Sequence, residues 1–305
     1  MRVRFTESKL FSPVFLLLPI LLGSSSTLPP RPSLAEGAPS AAPVATPSPG
    51  QEPGRVYVQA AAALRQHDCS GAESLLAPLT VRPEATPRDR AFARLVYGLY
   101  AHACEQPGPA EEQLFAAPDP ASPLEDWRLF ILSDSAAADG HVLLAQAALA
   151  KLLGDYPESS LRPRAFVKLA SLAWGQGNAR RALESIARAR KEPVRGEEGK
   201  GLESLAWEIT RRTGDAAGQL EAARRLLTDW PAEAAQLHVA DGLSWADLLS
   251  AAELKRRSDA LLALDLAPNA IATLDAVRPA DRDLDWSLRK ALALTRNHQG
   301  ADALR

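Results

Sequence analysis

The sequence predicts an all-α fold in which one helical hairpin recurs along the chain. Three observations predict it. Alanine, leucine and arginine dominate the 305 residues, while β-branched and aromatic residues are sparse. Unbranched side chains lose little rotamer freedom in a helix, so this bias favours helix over sheet. After Arg55, apolar residues recur at helical spacing in segments of ~10 to 18 residues. Short turns holding Gly, Pro, Asp or Asn separate them, and no segment alternates as a strand does.

The ends bound the folded part. Arg2, Arg4 and Lys9 precede a short apolar stretch, Phe11–Leu22. That stretch is about half the ~20 residues a membrane-spanning helix needs, and it reads as an export signal. Ser24-Ser25-Ser26 and Ser33-Leu34-Ala35 both offer small residues for cleavage, so residues 1–35 are expected as the signal. No cysteine lies near the apolar stretch, which excludes a lipoprotein. Residues 36–54 are rich in proline and alanine and are expected as a disordered tether, because they cannot bury enough apolar surface to offset ordering entropy. The helical part is expected over 55–305.

Several helix starts are explicit. Ser122-Pro123-Leu124-Glu125 and Ser250-Ala-Ala-Glu253 read as capping boxes, Ser244-Trp-Ala-Asp247 is similar, and Thr86-Pro87 opens another helix. The clearest repeat spans Ala165 to Ala189. There Leu169-Ala170 precede Ala173, Gly177-Asn178 form a turn, and Ala182, Ile186 and Ala189 follow. This resembles a tetratricopeptide repeat, in which small residues let two antiparallel helices approach closely. The resemblance implies that Ala170 and Ala182 face each other. Weaker copies surround it, at Val56 to Leu79, Arg88 to Phe115, Leu205 to Leu227, and Ala260 to Val277 with its turn near Pro268-Asn269. Gly154-Asp-Tyr-Pro157 and Thr228-Asp-Trp-Pro231 are matching segment ends. The expected architecture is a tetratricopeptide-like α-solenoid of about seven helical hairpins.

Cys69 and Cys104 are the two cysteines, one repeat length apart (104 − 69 = 35). Each is expected at the end of a first helix, on the same edge of adjacent repeats, and an exported chain would oxidise them to a disulfide. His67 and His102 share that 35-residue offset. No histidine stands at metal-ligand spacing with another His or Cys, so no metal and no cofactor is expected.

Signatures of catalysis are missing from the sequence: there is no HExxH helix, GxSxG elbow or phosphate-binding glycine loop. Gly196-Glu-Glu-Gly-Lys-Gly201 has the wrong spacing for phosphate and reads as a solvated turn, and Asp281-Arg-Asp-Leu-Asp285 as a loop and helix start. A net charge of -2 gives no field for nucleic acid. Arginines gather at Arg180-Arg181, Arg188, Arg190-Lys191, Arg211-Arg212, Arg224-Arg225 and Lys255-Arg256-Arg257. They form either solvated faces with local ion pairs or a basic groove for an anionic polymer. The expected groove centres on Trp174, Arg181 and Trp207, lined by the first helices of hairpins, with burial in the core the competing reading for both tryptophans.

The order of features adds a second resemblance. A signal and proline-rich tether lead into degenerate hairpins, then Leu226-Leu-Thr-Asp-Trp-Pro231, a helix from Ser250-Ala-Ala-Glu-Leu-Lys-Arg-Arg-Ser-Asp-Ala-Leu-Leu262, and Ala270-Ile-Ala-Thr-Leu274. Over about 55–305 this resembles the N-terminal superhelical region of soluble lytic murein transglycosylases. The resemblance implies a periplasmic scaffold that positions peptidoglycan glycan strands. The family's catalytic domain, marked by Glu-Ser and Gly-Leu-Met-Gln, lies beyond such a region. Glu73-Ser74, Glu184-Ser185 and Glu203-Ser204 lack that second segment, so no catalytic residue is carried over. The last hairpin reads as unfinished, which suggests a truncated solenoid. The alternative is a free-standing tetratricopeptide adaptor that binds cell-envelope proteins.

Overall fold

A computed structural model describes residues 53–194, 196–241 and 244–303. The expected signal and all but the last two residues of the expected tether lie outside them. Those two, Pro53 and Gly54, open the first helix. Among the described residues the structure is all-helical, with no strand. No described helix is long and apolar enough to cross a membrane.

The helices group into two compact units, 1–161 and 162–305. The described part of the first contains α1 (Pro53–Arg65), α2 (Cys69–Thr80), α3 (Pro87–Ala103), α4 (Pro107–Phe115), α5 (Glu125–Ala138) and α6 (Val142–Asp155). They pack as the pairs α1/α2, α3/α4 and α5/α6, with α2 against α3 and α4 against α5. Thr86 and Asp89 form the capping box that opens α3. The box expected at Ser122 does not form. Its Glu125 is buried and gives both carboxylate oxygens to Arg128 at 2.7 and 2.6 Å, so α5 starts at Glu125 without a side-chain cap.

The second unit contains α7 (Arg162–Gly175), α8 (Ala179–Ala189), α9 (Gly196–Thr213), α10 (Ala216–Asp229), the short α11 (Pro231–Gln236) and α12 (Trp245–Leu248), α13 (Ala251–Ala263), α14 (Ala267–Asp275), α15 (Leu284–Arg296) and α16 (Gly300–Ala303). Its pairs are α7/α8, α9/α10, α13/α14 and α15/α16. With the three pairs of the first unit these make seven hairpins among the described residues, consistent with an α-solenoid. Ser250 and Glu253 form the expected capping box of α13. The Pro268-Asn269 turn is displaced. The chain reverses at Asp265, and Pro268 lies inside the first turn of α14, where a missing N–H costs nothing.

One turn geometry recurs in all seven hairpins. His67, Glu105, Gly140, Gly177, Gly214, Asp265 and His298 each adopt a left-handed conformation, with φ between 57° and 90°. The next residue sends its N–H to the carbonyl five positions back at 2.7 to 3.0 Å, as in Asp68 to Ala63, Asn178 to Ala173 and Gln299 to Leu294. This is the Schellman closure that satisfies a helix C-terminus. Glycine suits the position because it lacks Cβ, while Asp and His tolerate it better than most residues.

Packing residues keep a fixed offset from that turn. Seven positions before it stand Ala60, Gly98, Ser133, Ala170, Ser258 and Ala291, and five positions after it Ala72, Ala110, Ala145, Ala182, Ala270 and Ala303. Nine positions after it stand the buried Leu76, Leu114, Leu149, Ile186 and Leu274. Ala170 and Ala182 are both fully buried, as expected. The closeness is measurable at Gly98, where an added Cβ would lie 2.5 Å from Leu114 Cγ. The α9/α10 hairpin departs from the pattern, with Trp207 and Gln219 in place of the small pair.

Candidate functional site

The residues expected to form a groove lie on three helices of the second unit. Trp174 is a half-buried residue near the end of α7, and the Arg212 guanidinium of α9 stands 5.8 Å from its ring centroid. Trp207, on α9, is only 8% exposed and therefore belongs to the core. Arg181 sits on the second helix α8, where first helices were expected to line the groove, and its side chain is exposed. Arg188, seven residues on, shares that face of α8 and is exposed too. Among the described residues Arg181, Arg188 and Arg211 form no ion pair, whereas Arg180 approaches Glu184.

Most of the other gathered cations are spent on contacts between successive helices. Arg190 pairs with Glu203 at 2.6 Å and Glu221 at 2.9 Å. Arg225 approaches Glu203 at 3.9 Å, Arg224 reaches Glu253 at 2.8 Å, Arg256 faces Asp229, and Lys255 holds Asp283 at 2.6 Å. Arg257 donates to the Leu227 carbonyl. The exposed pairs among these contribute about 0–1 kcal/mol each. They neutralise charge that a polyanion would otherwise meet, so the cationic surface is smaller than the sequence suggests.

The acidic segments resolve the same way. Asp283 caps α15 through the Trp286 N–H and pairs with Lys255, which lowers its carboxyl pKa. Asp281 pairs with Arg278 and Asp285 with Arg289. Gly196–Gly201 is not a solvated turn. It forms the first turns of α9, and Gly199 is required there, because a Cβ would stand 2.7 Å from Trp230 Cζ2. The glutamates of the three Glu-Ser pairs face partners within the fold: Glu73 accepts from Tyr97 Oη at 3.0 Å, Glu184 faces Arg180, and Glu203 holds Arg190.

Cys69 and Cys104 are bonded, with sulfurs 2.09 Å apart and Cα atoms 5.9 Å apart. Their placement differs from expectation in one respect. Cys104 does end a first helix, α3, but Cys69 opens the second helix, α2. The bridge links two hairpins because α2 packs directly on α3.

The histidines divide by geometry. His67, His238 and His298 occupy left-handed turn positions. His102 Nδ1 lies 3.2 Å from Ser135 Oγ. His141 is different. It stands at the N-cap of α6, yet makes no side-chain cap; its Nδ1–H donates to Glu111 of α4 at 2.8 and 2.9 Å. Asp139, two residues earlier at the end of α5, brings Oδ2 to 3.6 Å. The hydrogen bond and charge of Glu111, aided by Asp139, raise the imidazole pKa. Sequence spacing missed this trio because Glu111 lies 30 residues from His141 and reaches it only through stacking of α4 on α5. The faint local signal was Asp139-Gly140-His141.

No protein-family model matches the chain, and no curated protein matches its sequence.

Proposed function

We propose that this chain is a non-catalytic helical-repeat scaffold of the tetratricopeptide kind, acting in the periplasm and positioning peptidoglycan glycan strands, as the resemblance to lytic transglycosylases implies. The observation that supports it is the sevenfold recurrence of one left-handed turn, with small residues at fixed offsets in six of the seven hairpins. A tetratricopeptide unit combines Gly-x2-Tyr, a turn, Ala-x3-Phe and a closing proline. Here Ala170-x2-Ala173, the Gly177 turn and Ala182-x3-Ile186 follow that order, with smaller residues at the aromatic positions. Pro157 and Pro231 each stand 17 residues after their turn glycine, Gly140 and Gly214, where a closing proline belongs (157 − 140 and 231 − 214). The exposed Arg181 and Arg188 offer cations, and the half-buried Trp174 an aromatic face, suited to the carboxylates and sugar rings of glycan peptides.

A second reading, an adaptor for cell-envelope proteins, is favoured by one specific observation: several of the gathered arginines, among them Arg190, Arg224 and Arg256, are occupied in pairs between helices. Co-sedimentation with purified peptidoglycan sacculi separates the two. Under the first reading the chain sediments with sacculi, and Arg181→Glu with Arg188→Glu lowers the bound fraction several-fold. Failure to sediment, with specific crosslinks to envelope proteins in intact cells, would establish the adaptor. Binding unaffected by the double charge reversal would show that α8 is not the ligand face.

A further inference from the structure

The geometry points to a metal site on the second and third hairpins, in which Glu111, Asp139 and His141 bind a borderline divalent ion such as Zn2+. One ligand atom from each residue lies within 4.8 Å of the others. Ligands at ~2.1 Å from a shared ion stand roughly 3.0 to 3.4 Å apart. His141 Nδ1 is already 2.8 Å from Glu111 Oε2 and 3.6 Å from Asp139 Oδ2, near the spacing that two ligands of one ion adopt.

The surroundings argue for a cation rather than a lone ion pair. Elsewhere, several carboxylates between successive helices, such as Glu203, Glu253 and Asp259, meet Arg. Among the described residues, no Arg or Lys pairs with Glu111 or Asp139, and His141 alone faces both. Two carboxylates converge there with less positive charge than two carboxylates require, and a divalent ion supplies it. An imidazole with two carboxylates suits zinc-like ions better than the all-oxygen sets that hold magnesium or calcium. The exposure of His141 (58%) and Asp139 (39%) leaves room for water ligands and for exchange.

The comparison with the other hairpins is also informative. At the position of His141, Asp68, Asn178 and Asp215 cap the following helix with their side chains. Only the Gly140 turn of the seven replaces the cap with an imidazole and places a carboxylate two residues before it. Gln106 and Leu266 at that position also make no side-chain cap, but neither is a metal-ligating residue. Because Glu111 comes from α4 and the other two flank the α5–α6 turn, a bound ion would clip the two hairpins together.

Titration of the full chain with ZnCl2 by isothermal calorimetry tests this. The expected result is saturable binding of one ion per chain, with a rise in Tm. Glu111→Gln and His141→Asn should each weaken it at least ~10-fold. His141→Asn restores a cap like that of Asn178 and so remains folded, as circular dichroism will verify. His141→Arg keeps a positive charge for Glu111 and Asp139 but cannot ligate, and it should also lose the zinc response. Absence of saturable binding by the unaltered chain would overturn the site. So would zinc affinity in any of the three variants equal to that of the unaltered chain.

Discussion

Replacing Gly98 by alanine tests whether the repeat depends on close helix approach. Alanine is normally the better helix former, by about 1 kcal/mol in an exposed helix interior. At Gly98 the new Cβ would lie 2.5 Å from Leu114 Cγ, 2.8 Å from its Cδ2 and 3.2 Å from its backbone nitrogen. Leu114 is fully buried, so its side chain has nowhere to move, and the contact to backbone nitrogen cannot be relieved by a rotamer change. Overpacking of this kind costs about 1–3 kcal/mol and outweighs the gain in propensity. The net expectation is destabilisation by about 1–2 kcal/mol, confined to the α3/α4 hairpin. Gly201→Ala in α9 is the control. Nothing lies within 4 Å of its Cβ position, so it should stabilise by up to ~1 kcal/mol. Urea unfolding followed by circular dichroism measures both, and hydrogen exchange localises the first to α3 and α4. A Gly98→Ala chain as stable as the unaltered one would refute the close approach and, with it, the packing logic assigned to all the small positions.

The remaining expectations concern bonds in the structure. Reduction of Cys69–Cys104, which spans 35 residues, should cost about 3–4 kcal/mol by loop-closure entropy, measured as a denaturation midpoint with and without reductant; two alkylatable thiols in the protein purified without reductant would contradict the bridge. Arg128 and Glu125 are 5% and 2% exposed, and Arg128 also donates to the Leu114 carbonyl at 2.5 Å, so Arg128→Met should cost about 3–5 kcal/mol, whereas Arg128→Met with Glu125→Met should recover most of it in a double-mutant cycle. Burial tends to raise the Glu253 carboxyl pKa, but hydrogen bonds from Ser250 and Arg224 outweigh it and hold the pKa down at about 2. Its folded-state pKa is depressed, so this stability is present above the ordinary carboxylate range and is lost as pH falls toward 2. Glu253→Gln should remove about 1–2 kcal/mol at neutral pH and flatten the acid limb of stability against pH.

Helix content and hairpin count were legible in the sequence because both follow from local physics. Unbranched residues at helical spacing and turns at Gly177 and Gly214 act over a few residues, and so did the boxes at Thr86 and Ser250. Where a distant partner competes, local reading failed. Ser122 lost its box because Arg128 took Glu125, and Gly196–Gly201 entered α9, with Trp230 packed against Gly199. The cysteine pairing followed from repeat length, but the helix that carries Cys69 did not, because the turn at His67 comes before Cys69 whereas the turn at Glu105 comes after Cys104.

By itself the sequence determined an all-helical chain of repeated hairpins, because composition and period act within a single turn of helix. Tertiary structure decided which charges remain free and which ligands meet. Arg190, Arg224 and Lys255 find carboxylates on other helices, and Glu111 reaches His141 across 30 residues. Those encounters depend on how one hairpin stacks on the next, which the spacing of the charged residues along the chain does not encode.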